Sequence, residues 1–135
     1  MADEHVLVYE THLAIPFTCS NTAGIEKGTL LSLADPMTVA AAAALNDIVG
    51  GVAKTEKINA DGKTKISVYR CGIFRCKISG SVTVGDSLVV AGPAANNLLQ
   101  TAATNAEQIV GIALETGTNG ETILYELKPM TMQLA

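Results

Sequence analysis

Val82-Thr83-Val84-Gly85-Asp86-Ser87-Leu88-Val89-Val90 opens the stretch that decides the fold. An Ala-rich polar passage through Asn97 and Gln108 follows, then Ile109-Val110-Gly111-Ile112-Ala113-Leu114, a turn at Thr118-Asn119-Gly120-Glu121, and Thr122-Ile123-Leu124-Tyr125. Short aliphatic and β-branched runs, each bounded by Gly, Asn or Asp, read as strands joined by tight turns. No side chain in the stretch carries chemistry of its own. Its information is architectural.

The preceding half reads like a copy. Lys27-Gly28-Thr29-Leu30-Leu31-Ser32-Leu33-Ala34-Asp35-Pro36 parallels Val84-Gly85-Asp86-Ser87-Leu88-Val89-Val90-Ala91-Gly92-Pro93, so Gly28 and Gly85 lie 57 apart, as do Pro36 and Pro93. Ile48-Val49-Gly50 answers Ile109-Val110-Gly111 at 61, and Asp61-Gly62-Lys63-Thr64 answers Asn119-Gly120-Glu121-Thr122 at 58. The drift assigns small length differences to loops. A chain of 135 residues makes one domain rather than two. The expected fold is mainly β, a small barrel- or sandwich-like domain with an internal pseudo-repeat and at most one or two short helices. With no Trp, two Phe and three Tyr, its core is built from small aliphatic pieces.

Flanking segments complete the plan. Residues 1–17 are expected as an extended N-terminal arm, 18–128 as the β domain and 129–135 as a C-terminal tail. Val6-Leu7-Val8-Tyr9 and Leu13 to Cys19 are strand-like, but both begin outside the repeat, and Pro16 restricts its segment to an edge. Asp35-Pro36 has the form of a helix start, and Met37, Ala41, Ala44 and Ile48 follow at helical spacing, which predicts a short helix over 36–46. Lys63 to Tyr69 alternates cleanly, Gly72 interrupts, and Ile73 to Ile78 resumes, which predicts a hairpin.

Charge is uneven. The chain carries −4 overall, yet Lys54, Lys57, Lys63, Lys65, Arg70, Arg75 and Lys77 face only Glu56 and Asp61 within their segment, giving it +5 and the rest −9. Aromatic interleaving is thin, and the protein is acidic as a whole. A phosphate-tracking groove is therefore disfavoured. An acidic protein surface is the better partner for this segment.

The catalytic and metal readings fail on spacing. Gly62-Lys63-Thr64 imitates the end of a phosphate loop, but Lys57 stands where its first Gly belongs and a strand follows instead of a helix. Cys71 and Cys76 stand five apart with no second pair, and Cys19 sits on an apolar face, so the three cysteines read as free thiols of a reducing cytoplasm. His5 and His12 both lie in the expected arm, without a nucleophile elbow or paired carboxylates to work with. No catalytic, cofactor or metal site is expected, and the chain reads as a non-enzyme. The start is acidic where a secretory leader is basic, and no apolar run approaches the ~20 residues of a membrane span; no membrane partner is expected.

Gly85-Asp86 leading a strand, a variable loop, Ile109-Val110-Gly111-Ile112-Ala113-Leu114, then Gly120-Glu121-Thr122-Ile123-Leu124-Tyr125 resembles the capsid decoration (cement) proteins of tailed bacteriophages. The resemblance covers about Gly24 to Leu127, most firmly Val82 to Tyr125. It implies a β-rich fold, assembly as homotrimers, and binding to the outside of the mature head, where such proteins hold neighbouring major capsid proteins together. Localisation would be the virion surface after synthesis in the host cytoplasm. Val6, Leu7, Val8, Tyr9, Leu13 and Ile15 are then candidates for apolar capsid contact, and the seven basic residues above for charged contact. Other readings stay open at this point: a tail or fibre module, or a β-barrel that binds a ligand or catalyses a reaction.

Overall fold

The structure, a computed structural model, describes residues 4–42, 47–91, 98–102 and 108–131. Among them there are eleven strands and no helix: β1 (Val6–Tyr9), β2 (Ile15–Thr18), β3 (Leu30–Ala34), β4 (Thr38–Ala41), β5 (Val49–Ala53), β6 (Lys65–Tyr69), β7 (Gly72–Lys77), β8 (Ser87–Val90), β9 (Leu99–Thr101), β10 (Gln108–Ala113) and β11 (Thr122–Thr131). The first repeat closes on itself as a barrel in the order β2-β4-β3-β5-β6, and a parallel contact between Thr18 and Thr38 makes the seam. The second forms a six-stranded sheet, β1-β7-β11-β10-β8-β9. A parallel bridge from Ile78 to Leu99 brings β9 back against the end of β7 in the same sense. Closure and short edges leave little unpaired strand to water.

The repeat is visible bond by bond. Gly28 N–H donates to Ala53 O at 2.9 Å, and Gly85 N–H to Ala113 O at 2.8 Å. Ile25 and Lys57 exchange both backbone bonds, as do Val82 and Gly117. These pairs correct two offsets read from sequence: β5 and the turn after it match β10 and its turn at 60, not 61 and 58. Gly51 thus answers Gly111, and Ala60 answers Gly120. At Gly51 and Gly111 alike, an added Cβ would strike a backbone carbonyl oxygen of the neighbouring strand, Tyr69 O or Glu126 O. Glycine is required there by close approach.

Two apolar cores follow. One fills the barrel with Phe17, Cys19, Ile25, Leu31, Val39, Ala53, Ile66 and Val68. The other joins the halves: Leu30, Val49, Val52 and Tyr69 pack into the cluster of Phe74, Cys76, Ile123, Tyr125 and Leu127. A shared core explains why the repeats make one domain.

Four expectations are corrected. The helix over 36–46 is not formed across its described part: Asp35-Pro36-Met37 is a turn, and Thr38–Ala41 pairs antiparallel with β3. Val39 is buried in the barrel and Ala40 faces water, a period of two that outweighs the helix-start signal. Residues 43–46 lie outside the described residues. The polar passage before Gln108 contains β9, which pairs with β8. The tail does not begin at 129, because β11 continues through Pro129 to Thr131; Lys128 and Pro129 sit between the pairs Gly111↔Leu127 and Ile109↔Met130, a bulge that accepts a proline. Residues 4–17 do not form a separate arm, and residues 1–3 and 132–135 lie outside the described residues. Val6, Leu7 and Tyr9 pair with β7, and Ile15–Thr18 pairs with β6 as a barrel strand.

Candidate functional site

The alternation of β11 sets the geometry of the outer face of the six-stranded sheet. Ile123, Tyr125 and Leu127 turn inward and are fully buried, so Thr122, Leu124 and Glu126 turn out. On β7 the same rule buries Phe74 and Cys76 and presents Ile73, Arg75 and Lys77. Strand register assembles these into rows. One runs Ile112, Glu126, Ile73, Tyr9, and the next runs Leu124, Arg75, Val6, with Leu114 bonded to Leu124 beyond it. Directly opposed side chains in such rows stand about 5 Å apart and touch. Six apolar residues therefore share one outer face with Arg75, Lys77 and Glu126. Glu115 reaches the same face: its Oε1 accepts Leu124 N–H at 2.8 Å and lies 3.9 Å from Arg75 Nη1.

This face brings together four residues that the sequence singled out, Val6, Tyr9, Arg75 and Lys77. The others scatter. Leu7 turns in against Phe74, and Val8 falls at the bulge of β1. Leu13 is 81% exposed in the link to β2, and Ile15 is exposed at the start of β2.

The basic segment does not form the predicted hairpin, since β6 belongs to the barrel and β7 to the sheet. Lys57 is buried and makes no surface at all. Its Nζ donates to Asn21 O at 3.1 Å and Ile58 O at 2.7 Å and lies 2.8 Å from Asp61 Oδ1, so each ammonium proton has an acceptor. Arg70 turns back on the barrel, donating to Val49 O and Gly50 O. Lys65 Nζ donates to Thr18 Oγ1, Lys54 lies 5.9 Å from the centre of the Tyr69 ring, and Lys63 is exposed.

Sequence reading missed Ile73, Ile112, Leu114, Leu124 and Glu126, whose exposure depends on which way each strand faces. It also missed Met37, Ile48 and Met130. The first two line an apolar cleft of about 470 Å³ with Phe17, Leu33 and Arg70, and Met130 rims the adjoining one.

The ionisable groups do structural work. His5 is buried, sharing a hydrogen bond between Nδ1 and the Tyr125 hydroxyl, with Cys76 Sγ 3.5 Å from Nε2. Burial drives the Tyr125 phenol well above its usual range and also raises the Cys19 thiol. Cys19 and Cys76 are buried free thiols, and Cys71 is half-buried. Among the described residues, no three His, Cys, Asp or Glu side chains gather as metal ligands would. What the surface can offer is a broad, partly apolar, charge-dotted face for another protein.

The phage cement protein family matches residues 8–128. The head fibre gp8.5 N base of bacteriophage phi29 shares the fold, with a TM-score of 0.55 and 17% identity over 91% of this chain and 98% of that one. Among curated proteins none matches.

Proposed function

The chain belongs to the phage cement protein family, and from that premise we propose that it binds the outer surface of a phage capsid and holds the major capsid protein lattice together. It is a structural protein of the virion; capsid stabilisation, homotrimeric assembly and synthesis in the host cytoplasm are the finer parts of the proposal. The observation that carries it is the family match across both repeats, joined to a fold whose two halves share one core. A clamp under outward pressure needs stiffness, and strand pairing with a core shared by both halves supports that. Val6, Val8, Tyr9, Leu13, Ile15, Lys54, Lys63, Lys65, Arg75 and Lys77 are exposed and remain contact residues in this reading, while Leu7 turns inward. Lys57 and Arg70 leave this exposed set, because the Lys57 ammonium and the Arg70 Nη1 serve the fold.

Electron microscopy of particles assembled with and without the protein tests the proposal. Density at regular lattice positions on the head, with greater resistance of the particle to heat, is the expected result. Density confined to the tail, or heads of unchanged stability, would overturn it.

A further inference from the structure

We propose that the apolar cleft beside the β3–β4 turn holds a segment of the capsid shell that presents an aliphatic side chain beside a carboxylate, and that Arg70 takes the carboxylate. The inference names one contact within the capsid-binding proposal and rests on it. Phe17, Leu33, Met37 and Ile48 line one cleft, of about 470 Å³, and Leu33, Ile48, Pro129 and Met130 line its neighbour, of about 190 Å³. Arg70 lines both, so it stands where they meet. Met37, Ile48 and Met130 leave about half their surface to water, which suits a contact better than a free face. The pseudo-repeat marks the place. Leu33 and Arg70 are answered 57 positions on by Val90 and Leu127, both fully buried in the core that the halves share. The first half leaves these positions open and sets an arginine at one of them.

The guanidinium names the occupant. Both Nη1 protons go to backbone, Val49 O at 3.0 Å and Gly50 O at 3.2 Å, which restrains the group. Nε and Nη2 have no partner among the described residues; since no buried side-chain nitrogen there lacks one, both reach solvent. These two donors form an edge that holds a carboxylate by parallel bonds. An arginine already tied to carbonyls gives up little freedom on binding. Asp35 lines the larger cleft only and makes no ion pair with Arg70. Asp47 and Lys128, of opposite sign, precede Ile48 and Pro129. A carboxylate is therefore best placed at the junction, clear of Asp35, with apolar side chains against Met37 and Ile48 on one side and Met130 on the other.

Heads purified without the protein test this with the full chain, Ile48→Glu, Arg70→Lys and a light-activated Ile48→p-benzoylphenylalanine variant, circular dichroism and melting confirming each fold. Ile48→Glu sets a carboxylate beside the occupant's and should weaken binding to heads at least roughly tenfold. Arg70→Lys keeps the charge, loses the fork and should weaken it roughly fivefold. The cross-link should fall on the shell protein, in a stretch with Asp or Glu next to an aliphatic residue. Variants that bind as wild type does, or a cross-link to a shell stretch without an acid, would overturn the inference and leave capsid binding standing. A cross-link within the chain or to a second copy would give the cleft another occupant and overturn it too. A wild-type chain that fails to bind heads would remove the capsid-binding proposal and this contact with it. Should Arg70→Lys melt below wild type, Ile48→Glu and the cross-link decide.

Discussion

Ala60 and Gly120 hold one backbone position in two copies of the same turn. Both have positive φ, 61° and 86°, and each N–H donates across the half, Ala60 to Asn21 O at 2.6 Å and Gly120 to Ile78 O at 3.0 Å. An L-residue held in this region costs about 1–2 kcal/mol. Ala60→Gly should therefore stabilise the protein, by up to about 1 kcal/mol after the added freedom of the unfolded chain is subtracted. Gly120→Ala should cost about 1 kcal/mol for conformational reasons alone, because a Cβ there meets nothing within 4 Å. Urea midpoints moving in opposite directions, at constant slope, are the expected readout.

At Gly51 and Gly111 the same substitution acts through contact. The new Cβ would overlap the carbonyl oxygen of Tyr69 or Glu126, and a strand backbone cannot step aside without breaking its ladder. Each Gly→Ala variant should lose about 3 kcal/mol or more. Either variant unfolding at the wild-type urea concentration would show that the strands are less closely apposed than described.

Acid should expose the two turn carboxylates. Asp61 is held below its ordinary 3.8, first by the hydrogen bond from Lys57, and Glu121 below its ordinary 4.5, first by the Thr118 hydroxyl. A carboxyl with a lower pKa in the folded chain stabilises it while ionised. That contribution is complete above the ordinary values and vanishes as pH falls through the folded ones. The melting temperature should change little between pH 7 and 5 through these groups and drop below about pH 4.5. Asp61→Asn with Glu121→Gln should flatten the drop.

Lys57 gives the sharpest contrast between charge and role. It is a member of the basic segment, yet its ammonium is enclosed by two carbonyls and Asp61. Lys57→Ala should cost about 3 kcal/mol without changing the salt dependence of binding to heads. Lys63→Ala should do the opposite, leaving the melting temperature unchanged.

The pseudo-repeat and the all-β class were legible because turn glycines and aliphatic runs act locally. Strand partners were not. Nothing near Tyr69-Arg70-Cys71 marks it as the crossing from barrel to sheet, since that depends on β6 meeting β2 and β5 while β7 meets β1 and β11. The face carrying Ile73, Leu124 and Glu126 was hidden for the same reason. Alternation divides a strand into two sides, but only assembly decides which side is buried. The helix over 36–46 failed where a local cap signal competed with the barrel seam at Thr38.

The N-terminal residues separate fold from contact. Removing residues 2–14 takes away β1 and its cover over β7, together with the His5 bond to Tyr125. Tyr125 and Phe74, both fully buried, would lose packing on that side. Loss of Leu7 alone is worth about 2 kcal/mol, so the truncated chain should be several kcal/mol less stable and should lose head binding through its fold. Leu13 permits the cleaner experiment. Among the described residues it is the most exposed large apolar one, at 81%, and it stands between β1 and β2 without a place in either core. Leu13→Asp should leave the melting temperature and the oligomer unchanged and weaken binding to heads roughly tenfold, the effect of burying one charge in place of a leucine at an interface. Unchanged binding by Leu13→Asp would take this residue out of the contact; a truncated chain that melted like wild type would show that β1 contributes nothing to the sheet.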